Sequence, residues 1–259
     1  MAKAQPAALD PGMTLVEHLT ELRRRLIISV LSIAVCMLIA FIAYNWILHI
    51  LLAPYRDLVN TRPDRVLGNG SLLATDPLEG FGVRIKTAAY AGIALAMPVI
   101  LWQVWKFVTP GLYPNERRYA IPFVVSALAL FIMGATLAYY TLPKALQWLV
   151  DIAGGNFVTA YTAGKYFQLV VYMMLAFGIG FEFPIVLIFL QLAGVLTPDM
   201  LARARRFSIV GICILVAIIT PSGDPISMLV LSVPMCIFYE ASIHIGRFVT
   251  RGRRQEAAA

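Results

Sequence analysis

The chain has 259 residues, of which 60% are hydrophobic and 14% are charged, and its mean hydropathy is +0.79. Soluble domains are about 45–50% apolar and about 25% charged, so this composition excludes an ordinary soluble protein and predicts an integral membrane protein. The net charge of +7 does not predict nucleic-acid binding. Lys and Arg cluster at the ends of apolar runs, where they orient membrane helices, and the sequence has no basic face interleaved with aromatic residues.

An amphipathic segment comes first along the chain. Residues 14–25 read TLVEHLTELRRR, and Thr14 with Glu17 forms a capping-box signature. Leucines recur at spacings of four, three and four, opposite a face that carries acidic and basic residues. The leucines are Leu15, Leu19, Leu22 and Leu26, and the charged residues are Glu17, Glu21, Arg24 and Arg25. We expect residues 1–25 to contain an amphipathic helix at a membrane surface, running directly into the apolar run that follows.

Six apolar runs predict membrane-spanning helices, because a span needs about 20 mainly apolar residues. The predicted spans are residues 26–48, 81–108, 122–142, 166–193, 207–220 and 226–245. The segment 49–80 is long for a connection and is predicted to form a cap or hold short helices. Trp102 and Trp105 are expected to be interfacial anchors at the end of the second span. We interpret residues 1–259 as a single membrane domain with a tail at 246–259.

The predicted fold class is all-α, a polytopic membrane protein with six transmembrane helices. Pro98, Pro184 and Pro234 lie inside predicted spans, and each removes a backbone hydrogen bond, so we expect a kinked and cupped bundle. Six spans place both termini on one side. Lys and Arg are more frequent at the termini and in the loops after the second and fourth spans, which predicts that the amino and carboxyl termini are cytoplasmic.

The fifth and sixth runs are each uninterrupted for about 14 residues, or roughly 21 Å of helix, against a hydrocarbon thickness of about 30 Å. We expect both helices to be too short for an undeformed bilayer, so that local thinning, snorkelling arginines or a partner compensates. The turn between them, PSGDP at Pro221–Pro225, then lies near the hydrophobic boundary. Ile226 and Met228, which follow this turn, are the predicted docking residues for a partner helix.

Catalysis is not predicted. His18, His49 and His244 lie at the ends of spans, and the sequence has neither an HExxH motif nor a pair of intramembrane aspartates. Cys36, Cys213 and Cys236 lie in apolar runs without a CxxC pair and are interpreted as core residues. We therefore expect that the protein is not an enzyme and that it has no metal site and no cofactor.

Glu182 is the one charge well inside a predicted span, and an intramembrane acid costs a few kcal/mol by insertion scales, so it is a functional candidate. Gly178, Gly180 and Pro184 flank it. Because Pro184 cannot donate to the carbonyl of Gly180, the helix is weakened one turn from the acid. The alternative is that Glu182 is protonated or paired and only locks the packing.

The loop PGLYPNERR at Pro110–Arg118 is predicted to face the same side as Glu21, and it contains Glu116. On residue chemistry alone, local ion pairs are the favoured interpretation of both acids. Glu21 has Arg25 at the i,i+4 spacing, and Glu116 has the two arginines beside it.

Five segments occur in order together with six predicted spans and cytoplasmic ends. They are HLTELRRRL at His18–Leu26, LAPYRDL at Leu52–Leu58, PVILWQVWKFVTPGLYPNERR at Pro98–Arg118, FGIGFEFP at Phe177–Pro184 and TPSGD at Thr220–Asp224. This set resembles the TatC subunit of the twin-arginine protein translocase, over about residues 15–247. The resemblance implies Sec-independent export of folded proteins across the bacterial cytoplasmic (inner) membrane, powered by the proton-motive force.

The resemblance also implies roles for individual residues. The acids that recognise the signal peptide fall on Glu21 and Glu116. The residues around them are Arg23, Phe107, Leu112, Tyr113 and Arg117. The positions linked to transport are Glu182 within the membrane, Pro54 in the first connection and Asp224 in the last turn. Met228 stands where better-known members have a glutamine, which departs from the family pattern.

The implied partners are twin-arginine signal peptides of folded precursors and single-span subunits of the TatA and TatB type, with a homo-oligomer in the complex and no nucleic acid. Two separated carboxylates can each accept a guanidinium fork, a geometry that lysine cannot reproduce. This chemistry explains selection for two arginines and favours peptide binding over the local ion pairs.

Two other classes compete with this interpretation. A small proton-coupled secondary transporter with Glu182 as its coupling site explains the buried acid, but the sequence lacks the internal repeat expected of many transporters. A passive membrane scaffold explains the polar loops but not the buried acid.

Overall fold

The computed structural model describes residues 15–66, 71–108, 120–154, 158–192, 194–220 and 223–256. Within these ranges the chain is all-helical, apart from two isolated β-bridges. The helices are α1 (Leu15–Ile42), α2 (Tyr44–Thr61), α3 (Glu79–Val108), α4 (Ala120–Ile152), α5 (Ala163–Gly180), α6 (Phe183–Leu192), α7 (Pro198–Ile219) and α8 (Pro225–Glu256). The predicted all-α class is confirmed.

Five stretches of the described chain are long and apolar enough to cross a membrane. They are Leu19–Ile42, Glu79–Phe107, Ile121–Ile152, Ala163–Leu192 and Pro225–Phe248. The remaining long helix, α7, corresponds to the predicted fifth span. Its first turns carry Asp199, Arg203, Arg205 and Arg206, so its apolar part begins only at Phe207.

The prediction that the last two helices are both too short is wrong for α8. Its candidate span, Pro225–Phe248, has 24 residues, or about 36 Å at 1.5 Å per residue. The prediction counted only the uninterrupted apolar run, which ends before Glu240. In the structure Glu240 pairs with Arg205 of α7, at 2.8 Å between the guanidinium Nε and Oε1, and apolar residues continue beyond it.

α1 ends earlier than the first apolar run predicts, at Ile42, and the chain turns directly into α2. Arg84 of α3 explains the position of this turn. Its guanidinium lies over the rings of Phe41 and Tyr44, 4.4 and 5.2 Å from their centroids, and donates to the carbonyl of Phe41 at 3.3 Å. A cation at the carboxyl end of a helix stabilises the terminal carbonyls.

α4 continues past the predicted end of the third span at Leu142, through Pro143, to Ile152. Leu142, Leu146 and Val150 recur at spacings of four and are all buried. This stripe packs into the core and keeps the chain helical beyond the predicted end of the span. Proline still removes one backbone donor here, but the burial of the stripe outweighs that loss.

Glycines allow the central helices to approach closely. A Cβ on Gly92 of α3 would lie 2.7 Å from the Cα of Met37 on α1. A Cβ on Gly134 of α4 would lie 2.5 Å from the carbonyl oxygen of Phe177 on α5. Membrane helices commonly use such small residues at their contacts, because backbone proximity increases the van der Waals attraction between them.

Helix α5 ends at Gly180, and α6 begins at Phe183. The two helices form one membrane crossing interrupted at Phe181 and Glu182. Pro184 lies in the first turn of α6, where a missing N–H costs little. This break lies where the sequence predicted a weakened helix.

A cap covers the end of the bundle that carries α2. Arg62 donates to both carboxylate oxygens of Asp151 at 3.0 and 2.9 Å, which joins the carboxyl ends of α2 and α4. The segments before α3 and α5 pair through the bridges Val66–Thr159 and Leu73–Thr162. The predicted cap in the first long connection is therefore present, and the loop before α5 completes it.

Candidate functional site

The end of the bundle opposite the cap holds the first candidate site. Glu21 and Arg25 form an ion pair within α1, in which the guanidinium Nε and Nη2 both donate to Glu21 Oε1. The Nε distance is 3.1 Å. Nη1 of Arg25 donates to the side-chain oxygen of Gln103 on α3 at 3.4 Å. The local ion pair offered by the i,i+4 spacing is present, and its side chains are only 19% and 20% exposed.

The polar strip of α1 faces α3, and the leucine face points outward. Glu21, Arg25 and Ser29 are half-buried, whereas Leu19 and Leu26 are 63% and 61% exposed. This is the reverse of a soluble amphipathic helix, as expected where the outer surface meets lipid tails and helix contacts are polar or small. The arrangement keeps Glu21 away from lipid.

Glu21 retains acceptor capacity. Its Oε2 atom is buried and has no hydrogen-bond partner among the described residues. An ionised carboxylate can accept about four hydrogen bonds, and Arg25 occupies only one of the two oxygens. An N–H group that reached Oε2 would therefore satisfy a buried acceptor, whose lack of a partner costs about 1–3 kcal/mol.

The other residues predicted around Glu21 are only partly described. Arg23 is exposed on α1, and Phe107 is half-buried in the last turn of α3. The remaining predicted peptide-binding residues, Leu112, Tyr113, Glu116 and Arg117, lie outside the described residues.

An aromatic cluster near the carboxyl end of α3 was not predicted from the sequence. Trp105 is 2% exposed, so its assignment as an interfacial anchor is wrong. Its ring lies 4.5 Å from that of Phe123 on α4, which lies 6.5 Å from Phe189 on α6. The cluster connects α3, α4 and α6. Periodicity could not reveal it, because its members are far apart in sequence.

Glu182 lies at the break between α5 and α6. Its neighbour Phe181 is buried and packs edge to face on Phe238 of α8, with 5.3 Å between ring centroids. Glu182 is half-buried, and its Oε1 atom has no hydrogen-bond partner among the described residues. An interrupted helix therefore presents a carboxylate at membrane depth with an unsatisfied oxygen.

Asp224 is fully buried and caps α8. Its Oδ1 accepts the backbone N–H of Ser227 at 2.7 Å, the geometry of a helix N-cap, and its charge is favourable at that end of the helix. Pro225 follows at the first helical position, which needs no donor. The sequence predicts that Asp224, in the PSGDP turn, lies near the hydrophobic boundary of the membrane. In the structure its carboxylate points into the protein.

The predicted docking residues Ile226 and Met228 are both half-buried, and Met228 packs against the core. The outward positions of this edge are Leu229 and Val233 on α8 and Ile218 on α7, which are exposed. An apolar face at this edge thus exists, but it is made largely by residues other than the two predicted ones.

Pro54 is buried inside α2. A proline at this position removes the backbone donor to the carbonyl four residues earlier, which belongs to Ile50. The hydroxyl of Tyr139 on α4 donates to that carbonyl at 2.9 Å. The proline therefore creates an acceptor through which α4 holds α2.

The charged residues of the cap were not predicted from the sequence either. Glu79 accepts hydrogen bonds from the backbone N–H of Thr75 and of Gly164, each at 2.6 Å. Hydrogen bonds from Arg62 to Asp151, together with the charge of that carboxylate, raise the pKa of the Arg62 guanidinium. Burial raises the pKa of the Tyr161 hydroxyl in the same cap. No motif marks these residues, because their partners lie far away along the chain.

The described residues contain no group of three or more His, Cys, Asp or Glu side chains placed to hold a metal ion. The polar groups identified above are carboxylates and a guanidinium suited to binding other charged groups. The arrangement supports recognition of a cation at Glu21 and a separate, membrane-embedded role for Glu182.

Fold and site together define a class: a polytopic α-helical membrane protein with a half-buried acidic site at one end and an interrupted helix carrying an intramembrane acid. The family model described as Sec-independent protein translocase protein (TatC) matches residues 17–234. The chain belongs to this family.

Relatives and solved structures agree with the family. The Sec-independent protein translocase protein TatC of Deinococcus radiodurans is 36% identical over 236 residues, which are 90% of this chain and 85% of that protein. The Sec-independent protein translocase protein TatC of Aquifex aeolicus is 37% identical over 246 residues, which are 94% of this chain and 98% of that protein. A crystal structure of the twin arginine translocase receptor TatC superposes with a TM-score of 0.73 at 37% identity, covering 90% of this chain and all of that one.

The relatives differ in length. The chain spans 66% of the TatC protein of Frankia casuarinae, to which it is 38% identical over 92% of its own residues.

Proposed function

We propose that this chain is the signal-peptide receptor and core subunit of a twin-arginine translocase. In this role it recognises the paired arginines of a precursor's signal peptide and exports the folded protein across the bacterial cytoplasmic membrane, using the proton-motive force. The observation that carries the proposal is the family match over residues 17–234. The likeness to the receptor crystal structure along nearly the whole chain supports it.

The chemistry at Glu21 fits a receptor for arginine. The carboxylate is half-buried, so water screens it less than it would at the surface, and Oε2 has no partner among the described residues. A guanidinium donates two parallel N–H groups and matches a carboxylate better than an ammonium does. In the proposal, Glu21 binds one arginine of the pair and Glu116 the other, with Arg23, Phe107, Leu112, Tyr113 and Arg117 lining the site.

Transport is assigned to different residues. Glu182 acts at a step after peptide binding, at the break between α5 and α6. Pro54 and Asp224 serve transport indirectly, since Pro54 fixes α2 and Asp224 fixes the start of α8. Single-span subunits of the TatA and TatB type dock on the apolar edge of α7 and α8, and the complex contains several copies of this chain.

A proton-coupled small-molecule transporter is not supported. Family membership places the chain among protein translocase components, and the half-buried Glu21 has no role in the transporter mechanism. The protein is not an enzyme.

A peptide-binding measurement tests the receptor function. The purified chain in detergent micelles is titrated into a fluorescent peptide that carries a twin-arginine motif, and into matched peptides with Lys-Lys or Ala-Ala. Fluorescence anisotropy reports the affinity. We expect the wild-type protein to bind only the Arg-Arg peptide tightly. The Glu21→Gln and Glu116→Gln variants should each bind this peptide at least tenfold more weakly, consistent with about 1.5–3 kcal/mol for a charge-assisted hydrogen bond. The double variant should bind it hardly at all.

Glu240→Gln is the matched control, because Glu240 is also a helix-borne glutamate paired with an arginine but lies on α8. Its affinity should equal that of the wild type. Equal affinities for the three peptides in the wild-type protein, or an unchanged affinity in the double variant, contradict the proposal.

A further inference from the structure

We propose that Arg25 is a resident occupant of the peptide site. In the absence of a signal peptide its guanidinium occupies Glu21, and a peptide arginine must displace it. Arg25 thereby lowers the apparent affinity of the site for its ligand. This inference rests on the proposed receptor function and adds to it the residue that limits how tightly the site binds.

The first argument is the geometry of the ion pair. A guanidinium and a carboxylate pair most strongly as two parallel N–H···O bonds, one to each oxygen. Arg25 does not achieve this, because both Nε and Nη2 donate to Oε1 and leave Oε2 without a partner among the described residues. An arginine that arrives from outside α1 can therefore contact both oxygens of Glu21 only if Arg25 moves away from Oε1.

The reason for this geometry lies in the helix. Glu21 and Arg25 are four residues apart on α1, so their side chains meet along the helix surface and not head-on. The backbone of α1 holds both ends of the pair. A peptide arginine is not restrained in this way and can align its planar fork with both oxygens.

The second argument is that Arg25 has another acceptor. Its Nη1 already donates to the neutral side-chain oxygen of Gln103 at 3.4 Å, at the long end for a hydrogen bond. When a peptide arginine takes Glu21, Arg25 can shift toward Gln103 and shorten this bond. The guanidinium of Arg25 then keeps a hydrogen-bond partner. Leaving this charge buried without a partner would cost far more free energy than losing a hydrogen bond between neutral groups.

These two features lower the affinity of the site. Only the fraction of molecules in which Arg25 has left Glu21 can bind a peptide arginine through both oxygens, so the apparent affinity is reduced by that fraction. The preference for arginine over lysine comes from the two-oxygen fork, which the compact, strongly hydrated ammonium of lysine cannot form.

The test uses the full chain in detergent micelles with fluorescent Arg-Arg and Lys-Lys peptides. In Arg25→Gln the competitor is gone, so we expect the Arg-Arg peptide to bind about threefold to tenfold tighter, within the range of a half-buried ion pair. The Lys-Lys peptide should gain by the same factor, so that the ratio of the two affinities does not change. In the double variant Arg25→Gln with Glu21→Gln, the gain should vanish.

Gln103→Leu is the second variant and keeps both charges. It removes the acceptor to which Arg25 shifts, so Arg-Arg binding should weaken, and Arg25→Gln added to Gln103→Leu should restore it. Thermal unfolding of each variant in detergent shows whether it is folded. If Arg25→Gln fails to fold, Gln103→Leu alone decides between the outcomes.

Weaker or unchanged Arg-Arg binding by a folded Arg25→Gln, or an unchanged affinity in Gln103→Leu, overturns the proposal while leaving the receptor function intact. A wild-type protein that does not prefer the Arg-Arg peptide overturns both. The two failures are therefore distinguishable.

Discussion

The carboxylate of Glu79, at the first residue of α3, accepts the backbone N–H of Gly164 in the first turn of α5 at 2.6 Å. The first N–H groups of a helix have no partner within the helix, and Thr162, which precedes α5, makes no side-chain cap hydrogen bond. Glu79 supplies the missing acceptor from another helix. The cap is therefore fastened to the membrane-spanning part of the chain through this carboxylate.

We predict that Glu79→Ala lowers the thermal stability of the purified protein, because Gly164 and Thr75 each lose an acceptor. Asp57→Ala is the control: Asp57 is an exposed carboxylate on α2. Melting temperatures in detergent, followed by loss of helical circular dichroism, compare the two. Equal melting temperatures for Glu79→Ala and Asp57→Ala would mean that the contact does not stabilise the fold.

The hydroxyl of Tyr139 provides a second test of the cap. Tyr139→Phe leaves the carbonyl of Ile50 without this donor, so we expect a loss of about 1 kcal/mol in the free energy of unfolding. Tyr140→Phe is the matched control, because Tyr140 lies beside it and is 72% exposed. In a Pro54→Ala background the backbone N–H returns, so Tyr139→Phe should cost less there. The same cost in both backgrounds would show that the hydroxyl does not serve the acceptor that Pro54 leaves open.

Replacing glycine by alanine should change the free energy of unfolding in opposite directions at two positions. Gly134→Ala places a methyl group against the backbone of Phe177, and we expect it to destabilise the protein by about 1–3 kcal/mol, as overpacking does. Gly211→Ala, in α7, meets no atom within 4 Å and should stabilise it by about 0.5–1 kcal/mol. Unfolding in denaturant measures both. A neutral Gly134→Ala would mean that α4 and α5 can move apart at no cost.

Substitution of Glu182 should impair transport without impairing peptide binding. We predict that Glu182→Leu inserts into the membrane and binds the Arg-Arg peptide with an affinity within about twofold of the wild type, or about 0.4 kcal/mol, yet exports poorly. The reason is that Glu182 lies at the break between α5 and α6, away from Glu21. Export of a folded reporter into the periplasm gives the second measurement. Export at the normal rate would make Glu182 a packing residue.

Crosslinking tests the docking edge. Cysteines at Leu229 and Ile218 should crosslink to single-span partner subunits more strongly than cysteines at Val125 and Ile132 of α4, because all four positions are exposed but only the first two lie on α7 and α8. Ile226 and Met228 should crosslink less than Leu229, since they are half-buried. A preference for α4 would move the docking site to another face.

The sequence could predict those features that depend on local chemistry. Hydropathy identifies the long spans, Pro184 marks the break beside Glu182, and the spacing of Glu21 and Arg25 predicts their ion pair. The family resemblance rests on short motifs of this kind and correctly gave the class.

What the sequence could not predict depends on contacts between distant segments. Glu240 interrupts the sixth apolar run, and its partner Arg205 lies 35 residues away, where no local pattern reveals it. Trp105 looked like an anchor because nothing near it in sequence reveals Phe123. Tertiary packing also carries α4 through Pro143, beyond the predicted end of the third span. In each case a long-range interaction outweighs the local signal.

The inward strip of α1 has a consequence for biosynthesis. Glu21, Arg25 and Ser29 face α3, yet α3 follows only after α2 and the first part of the cap have been made. At roughly 5–20 residues per second, about 3 to 13 seconds separate the synthesis of Ile42 from that of Val108. During that interval Arg25 of α1 lacks the acceptor that Gln103 of α3 later provides. The hydrogen bond from Arg25 to Gln103 can form only after α3 has been made, so the order of the helices along the chain determines when the proposed peptide site can first be complete.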